Sequence, residues 1–142
     1  MAVPGNTRRA FALELALALA AMLAALPLRA ATTLAEAMRR AREMREQSVR
    51  DGDAAYGAVV LHGDAIVGAA PSRVVASGDP AAHAETQALQ DAIRRIGTPQ
   101  LTGAVLVSTS RPCRMCEAAA ARAGIARMVY GEALTDAGTP RP

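Results

Sequence analysis

Residues 31–142 alternate between helical and strand-like hydrophobic periods, and this alternation restricts the fold more than any other feature of the chain. Thr33 and Glu36 make a T-x-x-E capping box, and Leu34, Met38, Ala41 and Met44 then recur at helical spacing with arginines between them. The pattern predicts a helix over 34–49, closed by the turn "RDGD". "YGAVVLHGDAIVGAA" is two short β-branched runs joined at Gly63–Asp64, as in a hairpin. Asp79–Pro80 is a turn, and "AAHAETQALQDAIRRI" is a helix stopped by Gly97. "LTGAVLVSTS" supplies a buried strand, Val105 to Ser108. Pro112 stands where the next helix begins, "CRMCEAAAARAG" carries that helix to Gly124, and "IARMVYG" is a last short strand. The order helix, hairpin, helix, strand, helix, strand predicts a three-layer α/β/α domain with a mixed central sheet. No repeat or low-complexity linker interrupts it, so 31–142 read as one domain.

Composition decides how that core is filled. The chain is 51% hydrophobic but only 2% aromatic, so Ala, Val, Leu, Ile and Met must do the packing, each burying less area than an aromatic ring. Met44, Met115 and Met128 read as packing residues. All 16 basic residues are arginine, which excludes lysine Schiff-base chemistry. The formal charge is +3, of which Arg8, Arg9 and Arg29 against Glu14 account for +2 in residues 1–30. The remaining +1 is spread without a dense basic run, so a polynucleotide partner is not expected.

Residues 1–30 have the organisation of an export signal. Arg8 and Arg9 form a positive start, Leu15 to Leu26 an apolar stretch of 12 residues, Pro27 a break, and "LRAA" a small-residue cleavage site after Ala30 or Ala31. That stretch falls short of the roughly 20 residues of a stable membrane anchor. "TRRAFA" resembles a twin-arginine leader, although Glu14 is an awkward neighbour for the apolar run. The expected location is therefore periplasmic or secreted. A packed Ala/Leu-rich N-terminal helix on a cytoplasmic protein is the alternative. In an oxidising compartment two nearby thiols tend to pair, unless a metal loaded before export shields them.

The chemistry-bearing residues fall in two segments, "DPAAHAETQAL" from Asp79 and "RPCRMC" from Arg111. His83 lies in the first turn of one predicted helix, and Cys113 and Cys116 at the start of another. Cysteines at i and i+3 lie on one side of a helix start and can reach one ion. Imidazole and thiolate ligands select zinc, and three protein ligands leave a fourth tetrahedral position for water. Zinc lowers the pKa of that water to near 7. Glu85, two residues after His83, is near the ion without needing to ligate it, and can carry a proton to a leaving nitrogen. Taken singly, His83 could be a helix cap, Glu85 a solvated carboxylate, and the cysteines a thiol–disulfide redox pair.

The two motifs together resemble the zinc-binding pattern of the cytidine deaminase-like superfamily, whose zinc-deaminase signature H-x-E…P-C-x-x-C is well established. "GAVVLHGDAIVG", "SGDPAAHAE", "STSRPCRMC" and "AGIARMVYG" resemble, in order, segments of bacterial nucleoside, guanine and tRNA-adenosine deaminases, over roughly residues 34–131. The resemblance implies zinc ligands at His83, Cys113 and Cys116, and Glu85 as the proton shuttle. It implies backbone contacts around Ala84 with the base, a small nucleobase or nucleoside as substrate, and homo-oligomers.

The chain departs from that pattern at three places. Ser72 stands where the family usually places an asparagine that hydrogen-bonds the base, and a hydroxyl reaches less far than an amide. Arg111 stands where the purine and tRNA deaminases usually carry glutamate, which should disfavour cationic substrates. The sequence ends 11 residues after Gly131, so a C-terminally shortened fold is expected, with the last strand as an open edge. A zinc-dependent nucleobase or nucleoside deaminase is the leading expectation. A non-catalytic zinc-stabilised binding module of the same fold is the alternative, and a CxxC oxidoreductase a third.

Overall fold

The computed structural model describes residues 31–142, so the export signal expected over 1–30 lies outside the described residues. The chain runs as α1 (Leu34–Arg50), β1 (Gly57–His62), β2 (Ala65–Pro71), the single-turn α2 (Val74–Ser77), α3 (Ala84–Ile96), β3 (Val105–Ser108), α4 (Arg114–Arg122), β4 (Arg127–Tyr130) and β5 (Thr135–Gly138). The capping box forms: the Glu36 carboxylate accepts from the Thr33 amide at 2.7 Å, and the Thr33 hydroxyl accepts from the Glu36 amide at 3.2 Å. At the far ends of the turns, Gly97 (φ 80°) adopts the left-handed conformation that stops α3.

The five strands form one mixed sheet in the order β2-β1-β3-β4-β5. β1 is antiparallel to both β2 and β3, β3 is parallel to β4, and β4 is antiparallel to β5. The strand period of two divides the core into two layers. Ala58, Val60, Leu106 and Met128 face α3 and α4, where they meet Ala88, Leu89, Ala92 and Ala120. Val59, Leu61, Val107 and Val129 face α1, where they meet Ala37, Met38 and Ala41. The result is the expected three-layer arrangement, with one helix on one face and two on the other.

Without aromatic rings to space the layers, helices approach the sheet closely. A Cβ placed on Gly57 would lie 2.1 Å from the Ala41 carbonyl oxygen and 2.4 Å from the Arg45 nitrogen, so the backbone of α1 occupies that space. On the other face, Gly68 stands in the same relation to α3, 2.4 Å from the Ala88 carbonyl oxygen and 2.7 Å from the Ala92 nitrogen. These contacts are with backbone, which cannot swing aside as a side chain can.

Two elements were not anticipated. The short helix α2 follows β2 directly, and β5 pairs with β4 through Met128↔Gly138, Val129↔Asp136 and Tyr130↔Thr135. The expectation that β4 would be an open edge is therefore corrected: β5 covers it. "TDAG" lacks the β-branched alternation of a strand, so only pairing reveals it. We expect Gly57→Ala to lower stability by about 1–3 kcal/mol, as overpacking does. Urea denaturation should show a reduced midpoint with an unchanged m-value.

Candidate metal centre

The centre forms where the end of β3 meets the starts of α3 and α4. His83 is the residue that precedes α3, with extended backbone (φ −64°, ψ 154°), rather than a member of its first turn. Its side chain makes no capping hydrogen bond, which removes the bland reading of a helix cap. Cys113 takes the same position before α4, and its sulfur accepts from the Cys116 amide at 3.5 Å. Both helix starts present backbone N–H groups and positive partial charge toward this region, favouring anionic ligands.

Three donor atoms converge. The His83 Nδ1 lies 3.6 Å from the Cys113 Sγ and 3.4 Å from the Cys116 Sγ, and the two sulfurs are 3.4 Å apart. A tetrahedral zinc, with Zn–N of about 2.0–2.1 Å and Zn–S of about 2.3 Å, requires N···S separations of about 3.6 Å and S···S of about 3.8 Å. The observed triangle fits those edges to within a few tenths of an ångström. Both cysteines are free thiols. Burial, then the adjacent Glu85 carboxylate and the Cys113 thiol, push the Cys116 thiol well above its ordinary range. The environment of Cys116 suits a thiolate only when a cation is beside it.

Glu85 lies on the buried face of α3 with Ala88, Leu89 and Ala92, at 4% exposure. A carboxylate so placed needs a partner. The Ser108 hydroxyl donates to its Oε1 at 2.8 Å, while its Oε2 lies 3.7 Å from the Cys116 Sγ. Ser108 follows Leu106 at the strand period and so points to the α3 face of the sheet. Tyr56, His83, Glu85, Ser110, Arg111 and Cys113 line a cavity of about 230 Å³ beside the triangle. Tyr56 is half-exposed there and offers an aromatic face.

The structure brings together His83, Glu85, Cys113 and Cys116. Ala84 is the first residue of α3 and its side chain is wholly buried, so only its backbone could meet a ligand. Ser72 is also buried and lies outside the residues lining that cavity. Its hydroxyl donates to the Asp53 Oδ1 at 2.8 Å. The Asp53 carboxylate also accepts from the amides of Ala54, Val75 and Ala76. Burial alone would raise the Asp53 carboxyl, but the hydrogen bonds from Ala76, Ser72, Ala54 and Val75 outweigh it and hold the group below its usual range. The role of Ser72 visible here is to tie the end of β2 to the α1–β1 connection. Sequence reasoning missed Tyr56 and Ser108. The strand alternation through "VLVS" could have pointed Ser108 toward Glu85, whereas nothing local marks Tyr56.

Residues 31–132 match the family described as the cytidine and deoxycytidylate deaminase zinc-binding region. The tRNA(Ile)-lysidine synthase of Deinococcus radiodurans is 40% identical over 109 residues, covering 76% of this chain and 19% of that protein. The tRNA-specific adenosine deaminase of Buchnera aphidicola subsp. Schizaphis graminum is 34% identical over 86 residues, 61% of this chain and 57% of that one. The X-ray structure of guanine deaminase from Bacillus subtilis has a TM-score of 0.64 at 31% identity, covering 67% of this chain and 61% of that chain. The chain thus spans 19% of the synthase and 57% of the tRNA deaminase.

Zinc uptake should expel the proton that burial holds on Cys116, because a coordinating thiol must be deprotonated. Titrating zinc into the metal-free protein in weak buffer with a pH indicator should show acidification. Cys116→Ser should reduce both proton release and stoichiometric zinc, and a chelator should lower the Tm of the native protein but not of that variant.

Proposed function

Because the chain belongs to the cytidine and deoxycytidylate deaminase zinc-binding family, we propose that it is a zinc-dependent hydrolytic deaminase acting on the ring amine of a nucleobase or nucleoside. The observation that carries this reading is the closeness of the His83, Cys113 and Cys116 donor atoms, all within 4.8 Å of one another, with the Glu85 carboxylate alongside. His83, Cys113 and Cys116 would hold the metal. When bound there, zinc supplies Lewis acidity that makes water a nucleophile near neutral pH.

The protein's own residues then have distinct tasks. Ser108 holds one oxygen of Glu85, which leaves Oε2 to take a proton from the attacking water. The water oxygen bonds to the amine-bearing ring carbon. Glu85 passes that proton to the adjacent ring nitrogen and then moves the remaining hydroxyl proton to the exocyclic nitrogen; the carbon–nitrogen bond breaks, and ammonia leaves as the ring carbonyl forms. The half-exposed Tyr56 ring offers a stacking face for a planar base. The named substrates of the similar proteins, guanine and tRNA adenosine among them, support the nucleobase or nucleoside class.

Glu85→Gln should lower ammonia release by about 10²–10⁴-fold, the usual worth of a general acid–base, while zinc content stays stoichiometric. The measurement is ammonia release from guanine, adenine, cytosine and their nucleosides by the zinc-loaded chain. Full zinc with no ammonia from any base would move the assignment to a zinc-stabilised binding module, a reading favoured by the engagement of Ser72 with Asp53.

Export by the twin-arginine route is part of the same proposal, and it rests on Arg8 and Arg9 ahead of the apolar run of Leu15 to Leu26. Replacing both Arg8 and Arg9 with lysine should retain the protein in the cytoplasm, as fractionation would show. Unchanged periplasmic recovery would remove the twin-arginine assignment.

A further inference from the structure

Tyr56 brings a phenol ring to the wall of the cavity beside the metal ligands, at the junction of several hydrogen-bonded segments. We infer that Asp53 and Ser72 are positioning residues that act on the substrate through Tyr56, by holding the backbone that carries the stacking ring. What enters the cavity rests on the deaminase reading above; the network that holds Tyr56 is independent of it.

Both backbone polar groups of Tyr56 are tied. Its amide donates to the Ala54 carbonyl at 2.7 Å, and its carbonyl accepts from the Ser72 amide at 3.1 Å. Gly57, the next residue, is held from the other flank. Its amide donates to the Thr109 hydroxyl at 3.1 Å, and its carbonyl accepts from the Thr109 amide at 3.0 Å. Thr109 leads directly into Ser110 and Arg111, which line the same cavity. Tyr56 is thereby registered to the segment that delivers Cys113. The α1 backbone against Gly57 leaves this stretch no room to shift toward that helix.

Asp53 fixes the two residues to which Tyr56 is bonded. One carboxylate oxygen accepts from the Ala54 amide and the Ser72 hydroxyl, each at 2.8 Å, and the other from the Val75 and Ala76 amides, each at 2.9 Å. Hydrogen bonds to an ionised acceptor are the stronger kind, and these four set the carboxylate in one orientation. The Ser48 hydroxyl donates to the Ala54 carbonyl and lies 3.4 Å from the Ser72 carbonyl. Ser48 and Ser72 are buried, so water does not readily replace a bond that either loses. The network sets the direction in which Tyr56 leaves the backbone, while its ring is 48% exposed. A tyrosine so placed offers a rigid face to a planar base and loses few side-chain torsions on stacking.

The test uses the full zinc-loaded chain. The sequence has two tyrosines and no tryptophan, so a Tyr130→Phe background makes intrinsic fluorescence a reporter of Tyr56 alone. Guanine, adenine, cytosine and their nucleosides are titrated, with correction for their absorbance, and at least one should change that emission saturably. Asp53→Asn, and separately Ser72→Ala, should weaken its binding about three- to tenfold, the worth of a hydrogen bond. The KM for ammonia release should rise by the same factor with kcat held, and zinc content and circular dichroism should stay native. Tyr56→Ala, read by calorimetry, should cost about tenfold or more. In that background Asp53→Asn or Ser72→Ala should add nothing, because their effect travels through the ring. Full additivity with Tyr56→Ala would overturn the inference, as would native affinity in both single variants or emission that no base alters. If Asp53→Asn does not fold, Ser72→Ala carries the same comparison. Bases that bind through Tyr56 without releasing ammonia would leave the positioning roles standing and remove the deaminase reading alone.

Discussion

Two sulfurs and a carboxylate crowd against one imidazole at the end of β3, and that crowding is the constraint on which the site depends. Cys116 is buried, and the Glu85 Oε2 lies 3.7 Å from its sulfur. Negative charge on both groups at that distance is unfavourable in a low-dielectric environment unless protons or a cation intervene. The helix dipoles of α3 and α4 offset part of this cost, but only part, since each supplies a fraction of a charge. A divalent ion among His83, Cys113 and Cys116 would relieve that repulsion.

The scaffold that holds this arrangement is built from small residues. Helix α3 approaches the sheet over Ala84, Ala88 and Ala92, and Gly68 on β2 receives its backbone directly. On the opposite face α1 rests on Gly57. Close approach of backbone to backbone leaves little freedom for α3 to slide, so His83 at its start and Glu85 in its first turn keep their places. Ser108 links the buried strand to Glu85 and fixes the carboxylate without neutralising it. The site is thus positioned by packing in the core and by a single hydroxyl.

Much of the fold was legible because its signals are local. The capping box at Thr33 and Glu36, the hairpin at Gly63–Asp64, the strand Val105–Ser108 and the stop at Gly97 each depend on a few adjacent residues, and each forms. The start of α3 was read too early because "AAHA" has helical propensity, while the Asp79–Pro80 turn holds His83 extended. Strand β5 was not legible: its residues carry little strand preference, and it exists through its pairing with β4.

The sequence by itself determined the kind of chemistry: one imidazole, two thiols at i and i+3, and a carboxylate two residues from the imidazole, in segments whose periods place them at helix starts. Only the tertiary structure decided which groups touch. Ser108 meets Glu85 across 23 residues, and Ser72 meets Asp53 across 19. Arg141 meets Glu117 across 24. Periodicity states which face a side chain takes, but not which distant residue faces it, because that choice is made by sheet order and by how closely the helices pack.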